Sequence, residues 1–325
     1  MSVDIVFYTH ANNDTGFGHA ARCAKIAKIV NEIAPNLNIG FCGEFSSGAK
    51  EVVNTICSPA FLDEPNAVVG IYDRMDQVSN PEKWSHERLA FLRRRCKKVV
   101  FMANGREVPK ISLDVTIIGY KIGHKINARP NCHWGLEYTP VDNSLIAKGD
   151  HTAAEHRVLL ALGGGQGNTL TKRALLAVDN IQEISGAKIL LSPVNPISFD
   201  FGFEEIKKPF SQISNVSDLS PIIVSSKVVL ASYGHLAYEA MALKVPVCLV
   251  AQKKFQAEYA SVLEQNKICI FAGGGKTVTV SAIENGIRNA VKFSEELVEN
   301  ASKSISSGGL RRIAKIIIAK VLDER

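Results

Sequence analysis

Three glycine-bearing segments hold the residues of this chain that are best suited to chemistry. The first runs Asn12-Asn13-Asp14-Thr15-Gly16-Phe17-Gly18-His19 and continues as Ala20-Ala21-Arg22. Its glycines permit positive φ and let a ligand approach the backbone closely. A helix starting near residues 18–20 would aim free N–H groups outward, an arrangement suited to an anion. His19 sits at that start with Arg22 close by, and an imidazole can take or give a proton near neutral pH. A tight strand-to-helix turn capped by the histidine accounts for the same residues equally well. The segment is not a dinucleotide fingerprint, which needs a third glycine where Ala21 stands. No G-K-[ST] closes it as in a P-loop.

The second segment, Gly163-Gly164-Gly165-Gln166-Gly167-Asn168, separates an apolar run from a helical one. Backbone amides there, with the dipole of the following helix, suit a diphosphate. Three consecutive glycines favour close approach of a ligand over a plain turn. The third segment, VLASYGHLAYE over residues 229–239, turns through Ser232, Tyr233, Gly234 and His235 and then carries Glu239 on a helix. A carboxylate one turn into a helix can accept hydrogen bonds from the two hydroxyls of a ribose. From the local sequence, a first-turn glutamate that complements the helix dipole is the plainer account.

These segments need elements to hold them, and the rest of the sequence alternates accordingly. Short β-rich apolar runs at 4–8, 38–42, 67–72, 98–102 and 115–118 predict five strands, with a helix over 20–33. Residues 134–146 read as irregular, and the polar stretch 148–152 as a linker. The alternation restarts with strands at 157–162, 188–192, 228–231, 247–250 and 269–271, and a helix over 170–184. Such alternation predicts parallel sheets covered by helices on both faces. The expectation is an α/β chain of two domains, 1–150 and 151–325, each opening with strand, glycine loop and helix. A ligand cleft would lie at the carboxyl ends of their strands. The amphipathic stretch 310–322 is expected to pack as a terminal helix, back on the N-terminal domain, rather than to lie on a membrane.

Composition narrows the functions further. The chain is 46% hydrophobic and 22% charged, which is ordinary for a soluble globular protein. No apolar run reaches the ~20 residues that span a bilayer. The N-terminus reads as a strand rather than a signal peptide, so a cytoplasmic protein is expected. Seven cysteines (23, 42, 57, 96, 132, 248 and 269) form no C-x-x-C pair, and no H-E-x-x-H occurs. They read as small buried hydrophobes in a reducing compartment rather than as a metal or redox site. The net charge of +6 favours anionic ligands such as phosphates. The dense basic run Arg93-Arg94-Arg95-Cys96-Lys97-Lys98 reads as a solvated helix end, where the dipole favours cations. Basic residues are otherwise dispersed and aromatics are only 7%, so no nucleic-acid partner is expected.

Taken together, the segments resemble one family. GFGHAARC, residues 16–23, is similar to the G-x-G-H-x-x-R-C loop of the UDP-sugar hydrolases of pseudaminic acid biosynthesis (PseG) and of related spore-coat polysaccharide (SpsG-like) proteins. RVLLALGGGQGNTLTKRAL resembles the opening of that family's second domain. LASYGHLAYEAMALKVPVCLV, with Gln256 after it, resembles its S-x-G-G-x-T-x-Y-E…L-G-x-P signature, with Tyr233 in place of one glycine and Leu236 in place of the threonine. IYDRMDQVSNPEKW resembles its D-H-Y…W-E stretch at Asp73 and Trp84, and SGGLRRIAKII its closing D-G-x-G-x-x-R-I. The likeness runs through almost the whole chain, in order. The family shares the GT-B fold with the lipid II glycosyltransferase MurG, so the resemblance implies two Rossmann-like domains whose parallel sheets face a central cleft.

The resemblance also implies roles. His19 would be the general base. Gly16 and Gly18 would let the loop close on the sugar, and Arg22 would orient the loop or the phosphates. Asp73 would stand among the substrate-binding residues. Gly163, Gly164 and Gly165 would approach the diphosphate, helped by the turn around Ser232, Gly234 and His235. Glu239 would bind the ribose, and Gln256 the sugar or the nucleotide. No metal or other cofactor is implied, because helix N-termini can stabilise a departing diphosphate.

The expected reaction is inverting attack of water on the anomeric carbon of a UDP-linked amino sugar, in surface-glycan or nonulosonic acid biosynthesis. One alternative is a metal-independent inverting GT-B glycosyltransferase with the same base. Another is a non-catalytic nucleotide-sugar binding protein. Water and an alcohol need the same base at the same place, so these residues do not separate hydrolysis from transfer. The expected partner is a nucleotide-sugar, with any membrane contact confined to the surface.

Overall fold

The computed structural model describes residues 2–74, 81–103, 113–119, 131–141, 155–163, 167–194, 204–274, 277–306 and 308–324, with backbone alone at 2, 81–86, 155, 167 and 168. The expected linker 148–152, Gly164, Gly165 and the side chain of Trp84 lie outside the described residues. Contacts divide the chain into two units, Met1–Asp142 with Gly308–Arg325, and Asn143–Ser307.

The first unit runs β1 (Ser2–Tyr8), α1 (Gly18–Ile33), β2 (Ile39–Cys42), α2 (Ser47–Cys57), β3 (Ala60–Phe61), β4 (Asn66–Tyr72), α3 (Pro81–Arg95), β5 (Cys96–Met102), β6 (Val115–Ile118) and β7 (Cys132–Trp134). Its strands form one parallel sheet in the order β3-β2-β1-β4-β5-β6-β7. The central strands bury side chains on both faces, Ile5, Val6 and Phe7 on β1 and Val69 and Ile71 on β4. That is why they read as near-continuous apolar runs. β1 and β4 pair in register from Ser2↔Asn66 to Tyr8↔Tyr72, so the chain leaves both strands at one level. The Asp73 amide then donates to the Tyr8 carbonyl at 3.0 Å.

The second unit runs β8 (Glu155–Ala161), α4 (Gly167–Asp179), β9 (Gly186–Leu190), β10 (Phe210–Ile213), α5 (Ser220–Val224), β11 (Ser226–Ser232), α6 (His235–Ala242), β12 (Val247–Ala251), α7 (Lys254–Gln265), β13 (Ile270–Gly274), α8 (Val280–Lys292) and α9 (Ser294–Ser304). Its parallel sheet has the order β10-β9-β8-β11-β12-β13. Val158, Leu160, Val228, Leu230, Cys248 and Val250 from its strands pack with Leu175, Val178, Ile283 and Ile287 from α4 and α8.

The final helix, α10 (Gly309–Leu322), belongs to the first unit and packs on α1, on β4 and on the short turn Leu136–Tyr138. Its apolar stripe, Ile313, Ala314, Ile317 and Val321, is fully buried. That stripe is therefore spent inside the unit rather than free to lie on a bilayer. No helix among the described residues is long and apolar enough to cross a membrane. The basic run is split: Arg93–Arg95 end α3, while Lys97 and Lys98 open β5. Arg95 pairs with Glu64, and Lys98 Nζ lies 3.0 Å from Glu324 Oε1, so part of its charge is met within the unit.

Three strands had no expectation, and all three are sheet edges: β3 of two residues, β7 of three and β10 of four. β10, FSQI, exposes Ser211 and Gln212, so it carries no apolar run. α4 stops at Asp179, short of the expected 184, yet the apolar spacing persists because Ile181 and Ile184 of the following turn remain buried.

Candidate functional site

Both sheets reverse their strand order at one place, between β1 and β4 in the first unit and between β8 and β11 in the second. Open parallel sheets bind ligands outside the carboxyl ends of strands at such a reversal. The four segments that follow these strands begin at Thr9, Asp73, Leu162 and Tyr233, and they contain almost every residue singled out above.

In the first unit, the loop after β1 is an Asx-stabilised turn. Asn12 Oδ1 accepts from the amides of Asp14 and Thr15 at 3.2 and 3.1 Å, and the Gly16 amide donates to the Asn12 carbonyl at 2.9 Å. Gly16 has φ +72°, a left-handed conformation that favours glycine, whereas Gly18 simply opens α1 with open space around it. Phe17 is the N-cap and no side chain caps α1, so the capping alternative for His19 does not hold. Instead, His19 Nδ1 lies 2.6 Å from Asp73 Oδ1.

Asp73 is fully buried. Arg22 Nε donates to its Oδ2 at 2.7 Å, Arg22 Nη2 pairs with its Oδ1, and Cys23 Sγ donates to Oδ2 at 3.4 Å. Arg22 Nη2 also comes within 3.3 Å of His19 Nδ1. Burial alone would push the Asp73 carboxyl up, but the Arg22 guanidinium and His19 outweigh it and hold the group well below the usual carboxylate range. If Nδ1 carries the proton that faces Asp73, Nε2 is the nitrogen left to take one. Both oxygens of Asp73 are engaged by protein groups. His10, which sequence reasoning passed over, is also buried here, its Nδ1 accepting from the Glu44 amide at 3.0 Å.

In the second unit, Gly163 follows β8 with φ +75°, while Gly164 and Gly165 lie outside the described residues. At the end of β11, Ser232 Oγ donates to the Leu162 carbonyl at 2.9 Å, tying the two strand ends together. Gly234 is the N-cap of α6 in an extended conformation, and the nearest atom to a Cβ placed there is the Ser232 carbonyl oxygen at 3.9 Å. Packing therefore does not demand a glycine at that position. Tyr233 turns inward: its hydroxyl bonds that of Tyr238 at 2.9 Å and its ring stacks on Tyr259 at 5.4 Å. This is how a tyrosine is accommodated where the resembled family has glycine.

α6 begins at His235, so Glu239 stands beyond its first turn and is 3% exposed. The dipole-complementing account of this residue therefore fails. Glu239 Oε1 lies 3.2 Å from His235 Nε2, one turn back on the helix. Gln256 bridges loops: its Oε1 accepts from the amides of Gln252 and Lys253 at 2.8 and 3.1 Å, and its Nε2 donates to the Tyr233 carbonyl at 3.1 Å. Gln252 was missed by sequence reasoning, since a lone glutamine after an apolar strand carries no signal. No group of three or more His, Cys, Asp or Glu able to hold a metal occurs among the described residues.

No family model matches the chain, and no curated protein matches it in sequence. Solved structures do match in fold. Spinosyn rhamnosyltransferase SpnG aligns with a TM-score of 0.62 at 9% identity, over 96% of this chain and 99% of that one. MurG of Acinetobacter baumannii gives 0.59 at 10%, over 97% and 99%. MnaA of S. aureus, solved with UDP, gives 0.62 at 11%, over 97% and 96%. At these identities the likeness is one of fold: an α/β chain of two Rossmann-like parallel-sheet domains, the GT-B class.

Proposed function

We propose that this chain is a nucleotide-sugar-dependent glycosyltransferase that works with inversion, His19 being the base for an acceptor hydroxyl. The observation that carries it is the buried Asp73 carboxylate 2.6 Å from His19 Nδ1. Such a carboxylate fixes the tautomer and stabilises the imidazolium formed when Nε2 takes a proton. The acceptor oxygen then bonds the anomeric carbon, the bond from that carbon to the diphosphate breaks, and the nucleoside diphosphate leaves.

In this reading the first unit supplies the base and the second holds the nucleotide. Backbone N–H groups of the turns after β8 and β11, with the N-terminus of α6, would stabilise the departing diphosphate without metal or other cofactor. Glu239 would take the ribose hydroxyls. Arg22 holds the Asp73 carboxylate in place, and Asp73 acts on His19 rather than on substrate. UDP is the favoured nucleotide, because UDP-sugar hydrolases are resembled in sequence and a neighbour of this fold was solved with UDP.

Two of the neighbours are a rhamnosyltransferase and MurG, which favours transfer over the hydrolysis expected from sequence. Hydrolysis is kept as a second reading for one reason, the similarity of residues 16–23 to the UDP-sugar hydrolase loop. Incubating a UDP-sugar panel with and without candidate acceptor alcohols, followed by phosphorus and proton NMR, tests the choice. UDP release that depends on acceptor supports transfer, and equal release of free sugar without acceptor supports hydrolysis.

A further inference from the structure

The carboxamide of Gln252, the first residue after β12, joins three strand ends of the second unit. Its Nε2 donates to Ser232 Oγ at 2.7 Å and to the Leu162 carbonyl. Ser232 Oγ donates to that same carbonyl at 2.9 Å. The Gln252 backbone amide donates to Gln256 Oε1 at 2.8 Å, and Gln256 Nε2 returns to the Tyr233 carbonyl at 3.1 Å. The segments after β8, β11 and β12 are thus one bonded network. Both hydrogens of the Gln252 amide have acceptors, and the single Ser232 proton goes to Leu162, so that hydroxyl has no proton left for a phosphate.

We propose that Gln252 is a positioning residue for the donor diphosphate. It fixes Gly163 against the Ser232–Gly234 turn, so that the backbone there is held in place for the anion, and it touches neither the nucleotide nor the reacting atoms. The proposal rests on the nucleotide-sugar reading. Donors already held in place lose little freedom on binding, so removing the brace lowers affinity for the diphosphate specifically.

Calorimetry with UDP and ligand-observed NMR with uridine test this on the full chain. Gln252→Leu keeps the size and removes both donors, and Gln252→Met serves if the first variant melts at markedly lower temperature. UDP affinity should fall about tenfold, the worth of one or two hydrogen bonds, while uridine affinity stays within about twofold, because uridine has no diphosphate to position. Ser232→Ala should weaken UDP less and should not add to Gln252→Leu, since both act on the Leu162 carbonyl. An unchanged UDP affinity, or an equal loss for UDP and uridine, overturns the positioning role. If the wild-type chain binds none of UDP, GDP and CDP, the nucleotide-sugar reading itself fails and takes this proposal with it. That result is distinct from a wild type that binds and a variant that binds equally well.

Discussion

His19 Nδ1 and Asp73 Oδ1 lie 2.6 Å apart, although 54 residues separate them in the chain. Parallel pairing of β1 with β4 makes this possible, since the residues after Tyr8 and Tyr72 leave the sheet side by side. Removing the carboxylate charge should therefore act on the histidine. Asp73→Asn is expected to lower turnover about 10²–10⁴-fold, the range of general-base and orienting effects. It should leave UDP affinity nearly unchanged, which steady-state kinetics and calorimetry on the one variant would separate.

The same carboxylate makes a stability prediction with a definite sign. Its pKa is held below the ordinary value by Arg22 and His19 despite burial. The unfolded chain therefore binds more protons at acidic pH. The contribution is fully present above the unfolded value of about 3.9 and is lost as pH falls toward the lower folded value. Urea unfolding should show the wild type losing stability from about pH 4 downward. Asp73→Asn, which strands Arg22 in the interior, should be weaker by about 3–5 kcal/mol at pH 7 and flatter below pH 4.

Glu239 gives a ligand-side prediction. Glu239→Ala should weaken UDP about tenfold or more, since hydrogen bonds to a charged group exceed neutral ones. Calorimetry on 2′-deoxy-UDP should show a smaller penalty in the variant than in the wild type, because the missing hydroxyl is one that Glu239 would hold. An equal penalty in both proteins would remove Glu239 from the ribose.

Two glycines should respond in opposite ways. A Cβ on Gly309 would run into the Thr139 carbonyl oxygen, a backbone atom with nowhere to go. Gly309→Ala should thus destabilise the first unit by about 1–3 kcal/mol, read by thermal unfolding. A Cβ on Gly234 meets only the Ser232 carbonyl oxygen at 3.9 Å. Gly234→Ala should fold normally, with any loss confined to nucleotide binding.

How much of this was legible follows from which signals are local. Central strands buried on both faces, such as 4–8 and 247–250, announce themselves by composition, and the glycine turns after them by residue type. β10 has no apolar run to show, because Ser211 and Gln212 between its ends are exposed. The candidacy of His19 was visible, but its partner was not readable from spacing, because strand pairing rather than sequence proximity brings Asp73 to it. Only the family resemblance singled Asp73 out, and in a ligand-binding role. Glu239 was misjudged locally because the start of α6 at His235, which sets its turn number, depends on where the chain leaves β11. Gln252 offered no pattern at all, since its role lies in three strand ends that meet only in the folded sheet.

The central claim is that His19 is the base. Turnover of a UDP-sugar, with and without acceptor, should be compared for wild type and His19→Ala alongside UDP affinity. The account predicts turnover lower by about 10²–10⁴-fold with affinity within a few-fold of wild type. Unchanged turnover in His19→Ala would contradict it.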